Sequence, residues 1–306
     1  MSNSGSAPDL KELLTGAQLP ALPQSAIRLL ELSQDPDNGP SEFAVPIEAD
    51  PGLTGQVLRF VNSSYFGFSR EISSVKLAIT LVGVRTIKNF ALWSAVFSLM
   101  PNPKCGPFDL KSLWQDSLRR ALFARNMGEL LGLPESEDLF ASSLLQDMAM
   151  PLLAKDLADE YVELLEARKE GRVRLSELEQ ERFGWTHADA AAIMARSWSL
   201  PDEFAEMVES HTQITELMAA EKSDPRKLAV CISSLLPTVA DEEWHEFKRC
   251  ENVFEHLAPA DGLSLLQMLE RVDDEFEEFA PVLKLTTPSI SLADVYQQSQ
   301  AEPTTS

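Results

Sequence analysis

The chain has 306 residues, 44% of them hydrophobic, enough for one large domain or two around a substantial core. Its net charge of -22 is uneven: residues 1–104 hold 8 Lys/Arg against 9 Asp/Glu and residues 105–306 hold 18 against 39, so the two parts carry -1 and -21. Such a balance excludes nonspecific nucleic-acid binding and anionic membrane surfaces for the C-terminal part and directs any anionic partner to the N-terminal part.

The three cysteines, Cys105, Cys231 and Cys250, are far apart and form neither a disulfide framework nor a zinc-type pair. The longest strongly apolar run, "FALWSAVFSLM", has 11 residues, too few to cross a bilayer, and the opening residues lack a signal-peptide pattern. A cytoplasmic location is expected.

Helix signals follow one another along the chain. In "LPQSAIRLLELSQ" Pro23 sits at a helix start, and "DPDNGP" ends that helix with turn residues. Asp50 and Pro51 read as an N-cap and first helical position for the helix that runs to "RFVNSS". "YFGFSREIS" is an aromatic loop, and "SVKLAITLVGVRTIKNFALWSAVFSLM" reads as two helices meeting near Gly83. "MPNPKCGPFD" is a Pro/Gly hinge and the main internal boundary. Beyond it Asp109 caps a long helix that ends at Gly132. The helix carrying Gln146 and Asp147 is expected to stop near Met150, ahead of Pro151. "SELE" at 176–179 and "THAD" at 186–189 have capping-box spacing. No β-alternation is present, so the class is all-α, and the Ser/Thr/Gln-rich segment after Lys284 is expected to be flexible.

Asp116, Asp147, His187 and His211 are the residues able to act as metal ligands. Beside Asp147 stands Gln146, a neutral amide and a poor substitute for imidazole. Each has a plainer reading. Asp116 is expected to pair with Arg119 and Arg120 along its helix. Asp147 is expected to accept amide hydrogens from the next helix start. His187, in a first helical turn, should be neutral, which suits a ligand and a packed core residue equally. His211 follows an acidic helix and reads as either a protonated cap or a ligand. In the N-terminal part Arg70, Lys76, Arg85 and Lys88, beside Tyr65, make a candidate partner-binding surface, weighed against a solvated helix face.

"LPALPQSAIRLLELSQDPD", "IEADPGLTGQVLRFVNSSYFGF", "SVKLAITLVGVRTIKNFAL", "LWQDSLRRAL", "FASSLLQDMAMPLLAK" and "HADAAAIMARSWSLPDEFAEMVESH" together resemble the HDOD domain, a noncatalytic relative of the HD metal-dependent phosphohydrolases. The resemblance covers about residues 19–215. It implies an N-terminal helical lobe at 19–104, an HD-related lobe at 105–215, a leader at 1–18, a helical extension at 216–284 and a tail at 285–306. On that resemblance the first HD histidine falls at or beside Asp116 and the His-Asp pair on Gln146 and Asp147. His187 and His211 match later ligands, and no acid stands in "LAVCISSLL" where a final Asp belongs.

The shell is incomplete, so the expectation is a noncatalytic bacterial signal-transduction module with no metal and no cofactor. It would act through signalling partners in trans or a phosphorylated small ligand. The alternatives are a weakened metal-dependent phosphohydrolase built on Asp116, Asp147, His187 and His211, and a nucleotide sensor using the same cleft.

Overall fold

The computed structural model describes residues 8–16 and 19–301. The parts of the expected leader and tail at 1–7, 17–18 and 302–306 lie outside the described residues. The helices run α1 (Leu10–Gly16), α2 (Gln24–Leu32), α3 (Pro40–Glu48), α4 (Pro51–Val61), α5 (Val75–Val82), α6 (Val84–Leu99), α7 (Leu110–Leu130), α8 (Ser136–Leu145) and α9 (Met150–Asp156). They continue as α10 (Ala158–Ala167), α11 (Leu175–Phe183), α12 (His187–Ser197), α13 (Asp202–Ser210), α14 (Ile214–Ala219), α15 (Pro225–Ser233), α16 (Phe247–Leu257), α17 (Leu265–Phe279) and α18 (Leu292–Ala301). There is no strand among the described residues, so the all-α class holds.

The helix starts follow local chemistry. Asp50 accepts from Leu53 N–H (3.0 Å), Asp109 accepts from Ser112 N–H (2.8 Å), and Thr186 and Asp189 cap each other reciprocally. α7 is the spine, buried almost all round from Trp114 to Gly128, with α8, α15 and α17 packed against it. Gly128 permits the close approach of α8, because a Cβ there would come within 2.6 Å of Leu139 Cδ1.

Three local expectations change. α8 stops at Leu145, so Asp147 lies in a turn before α9; Pro151 offers no N–H to the Asp147 carbonyl, which accepts instead from Met150 N–H (3.0 Å). "SELE" is not a cap: α11 begins at Leu175, and Glu179 is buried without contact to solvent. In the extension α17 buries Leu265, Met268, Leu269, Val272, Phe276 and Phe279, one stripe at helical spacing. The tail expected after Lys284 instead forms α18. Asp273 of α17 accepts from Leu292 N–H (3.0 Å) and Ala293 N–H (2.9 Å), which caps that helix, and Leu292 and Tyr296 are buried.

Candidate functional site

A cleft of about 320 Å³ opens between α7, the turn after α8, the start of α12 and the segment from Ser234 to Glu246. Three side chains meet at its floor. Asp147 comes from the turn, His187 from the first position of α12, and His211 from the residue that closes α13. His187 Nε2 lies 3.3 Å from Asp147 Oδ1 and 3.2 Å from His211 Nε2, and His211 Nε2 lies 3.5 Å from the same Oδ1. Arg120 of α7 donates to the other carboxylate oxygen, Asp147 Oδ2.

The far side of each imidazole is anchored. Glu179 Oε2 accepts from His187 Nδ1 (2.6 Å) and from the His187 backbone N–H (2.8 Å), while Glu179 Oε1 accepts from the Tyr161 hydroxyl (2.7 Å). His211 Nδ1 donates to the Val208 carbonyl (2.5 Å). Burial opposes charge on His187, but Glu179 and Asp147 outweigh it and raise its pKa to about 10. Burial lowers His211, so of the two facing rings His187 holds the proton. Burial would raise Asp147, yet Arg120 and the two histidines bring it well below the usual carboxylate range. These contacts replace three plainer expectations. Asp147 is held by side chains and not by amides of α9, His187 is not neutral, and His211 is not a protonated cap.

Asp116 does not pair along its helix. Its Oδ1 accepts from Val239 N–H (2.8 Å), Arg119 donates to the Ile290 carbonyl (2.6 Å), and Arg120 is turned to Asp147. Burial raises Asp116 to about 7, against the pull of Arg120. Gln146 is fully buried and does not line the cleft. Arg168 clamps Asp241 with two 2.7 Å hydrogen bonds and closes the segment 234–246 over the cleft.

The N-terminal candidates do not form one free surface. Tyr65 packs 4.9 Å from the Arg125 guanidinium and 4.6 Å from the Phe279 ring. Arg85 is held by the Pro134 carbonyl (3.2 Å) and Asp138 (3.6 Å), and Lys88 is half-buried close to the same carboxylate. Arg70 and Lys76 remain exposed.

A family model of the HDOD domain matches residues 19–214. The chain belongs to the HDOD domain family. A curated Treponema pallidum (strain Nichols) protein, uncharacterized, is 22% identical to this HDOD protein over 229 residues, 74% of this chain; the chain spans 43% of that relative's length. A solved structure from Marinobacter aquaeolei VT8, provisionally named a signal transduction protein, superposes with a TM-score of 0.66 at 19% identity, covering 89% of this chain and 61% of that one. Another, from Shewanella amazonensis SB2B and provisionally named a phosphohydrolase, gives 0.61 at 18% identity, covering 94% and 93%. At these identities the likeness shows the fold.

The HD relationship raises the question of a metal. Asp147 Oδ1 and the two Nε2 atoms offer three donors within 4.8 Å of one another, all buried. Their separations of 3.2, 3.3 and 3.5 Å match the edges of a tetrahedron around an ion with bonds of about 2.0–2.2 Å. The donor set therefore fits one ion. Asp116 is engaged elsewhere, and α15 brings no acid to the cleft. Glu179 and Tyr161 were not singled out in the sequence: the carboxylate lies eight positions before His187 inside a false capping motif, and nothing local marks it as a partner of either residue.

Proposed function

We propose that this HDOD protein is a noncatalytic regulatory module that works by binding. The observation that carries this reading is the engagement of Asp116, at or beside the position of the first HD histidine, by the protein itself: Val239 N–H donates to its Oδ1. A hydrolytic centre of the HD kind needs a group at that position free for metal or for an attacking water. The output is then passed to a signalling partner in trans. Of the basic side chains considered for that contact, the exposed pair Arg70 and Lys76 is the part able to meet an acidic partner.

A second reading, a weakened metal-dependent phosphohydrolase, has one observation in its favour. Asp116, with its pKa raised to about 7, lines the same cavity as Asp147, His187 and His211, within the range useful for proton transfer. A divalent ion at the triad would supply Lewis-acid polarisation of a phosphoryl oxygen. Arg120 would hold Asp147 in place, and Asp116 would carry the proton. A cleft that senses a nucleotide without turnover is the intermediate case.

Turnover separates these readings. The purified chain, supplied in turn with zinc, manganese and magnesium, is assayed against phosphomonoesters, nucleotides and cyclic dinucleotides beside Asp147→Ala. The regulatory reading expects no turnover that Asp147→Ala abolishes. Hydrolysis lost in that variant contradicts it.

A further inference from the structure

Three acceptors face one another at the floor of the cleft. Glu179 takes the Nδ1 hydrogen of His187 and the Val208 carbonyl takes that of His211, so each ring turns Nε2 to the cleft and offers a lone pair there once that nitrogen is deprotonated. The third acceptor is Asp147 Oδ1. At 3.2–3.5 Å the three converge on one point, where either the proton on His187 Nε2 or a cation can satisfy them. In the absence of a metal the proton on His187 serves.

We propose that Glu179 is the positioning residue that makes His187 a ligand for the one divalent ion that Asp147, His187 and His211 fit, and that this ion is of the zinc type. Two imidazoles and one carboxylate oxygen favour a borderline ion over magnesium or calcium, which prefer oxygen shells. Glu179 is the outer carboxylate that orients a ligating histidine and raises its basicity. It is itself fixed by three donors, Tyr161 O–H and the two N–H groups of His187, which leave it little freedom to turn. Arg120 holds Asp147 Oδ2, so the carboxylate would coordinate through Oδ1 alone. The surroundings favour a cation: Asp109, Glu170, Asp241, Glu243 and Glu246 line the cleft, against Arg120, Arg168 and Arg174.

The inference does not depend on the regulatory reading, since an ion in this triad serves a binding module and a hydrolase alike. Its test reads metal and not turnover. The full chain is stripped with a chelator and titrated with zinc against a chromophoric competitor, then with cobalt for its visible spectrum. Wild type should take one equivalent and give the intense bands of four-coordinate cobalt, and Asp147→Ala should lose both. Glu179→Gln should weaken zinc by about 10–100-fold, the usual effect of removing such an outer partner. Imidazole nitrogen NMR should show His187 losing its fixed Nδ1–H form in that variant, a change that a merely structural role would not produce. Tyr161→Phe, which frees one oxygen of Glu179, should weaken zinc in the same direction and serves as the readout if Glu179→Gln does not fold. The proposal is overturned if wild type binds no stoichiometric zinc, or if Glu179→Gln, or Tyr161→Phe in its place, binds zinc as tightly as the parent.

Discussion

Asp116 shows what burial does to a carboxylate that is only half provided for. It receives one backbone hydrogen bond from Val239, and burial raises its pKa from 3.8 to about 7. The folded chain therefore binds this proton more tightly than the unfolded chain does. The stability linked to the group is fully present below about pH 4 and is lost as the pH rises through about 7. Asp116→Asn keeps the acceptor for Val239 N–H and removes the charge, so it should flatten this part of the pH dependence. Urea unfolding between about pH 5 and about pH 8 should show the parent losing on the order of a few kcal/mol relative to the variant; parallel curves would show that the carboxylate is not strained. Residue type made Asp147, His187 and His211 legible in the sequence, because few side chains ligate metals. Their charge states were not legible. The helix-end arguments for a neutral His187 and a protonated His211 were outweighed by Glu179 and by burial, which reach the site only through the fold.

Single elements follow their own punctuation, while the joints between them follow partners far along the chain. Asp50, Asp109 and the Thr186/Asp189 pair start helices where the sequence places starts. α18 escaped detection because its cap, Asp273, lies on another helix. Arg125 of α7 is the clearest joint: its guanidinium lies over Tyr65, Phe140 and Phe279, at 4.9, 5.2 and 5.7 Å, and pairs with Glu275 at 3.1 Å. One buried cation thus ties the aromatic loop, α7, α8 and α17 together. Arg125→Met removes the cation from among the three rings, leaves Glu275 to Arg271 and Asn126, and should cost about 2 kcal/mol in denaturant unfolding, in line with a desolvated cation on aromatic faces. Arg85→Met, which removes a more exposed pair with Asp138, should shift stability by less than about 1 kcal/mol. Equal effects would show that the aromatic joint adds nothing.

Over the whole molecule, the all-α class was readable from Pro, Gly and capping residues, and the Pro/Gly hinge at 101–107 separates α6 from α7. The closure of the cleft was not. Its outer wall, Ser234 to Glu246, lies after the family match and is drawn in by Arg168 and Asp116 through contacts that no local pattern encodes. The same limit applies to charge. The basic stretch from Arg70 to Lys88 was visible in sequence, but Asp138 from another helix takes up Arg85 and lies close to Lys88. The net charge of -22 makes the molecule a general attractor of cations, and among the described residues only the triad adds directional donors at the spacing of one ion. The most direct test is anomalous diffraction at the zinc absorption edge from crystals of the full chain grown with zinc. The account predicts one peak about 2.0–2.2 Å from Asp147 Oδ1, His187 Nε2 and His211 Nε2, with Glu179 still on His187 Nδ1. A map with no peak among these atoms, or with two ions bridged by Asp116 and Asp147, would contradict it.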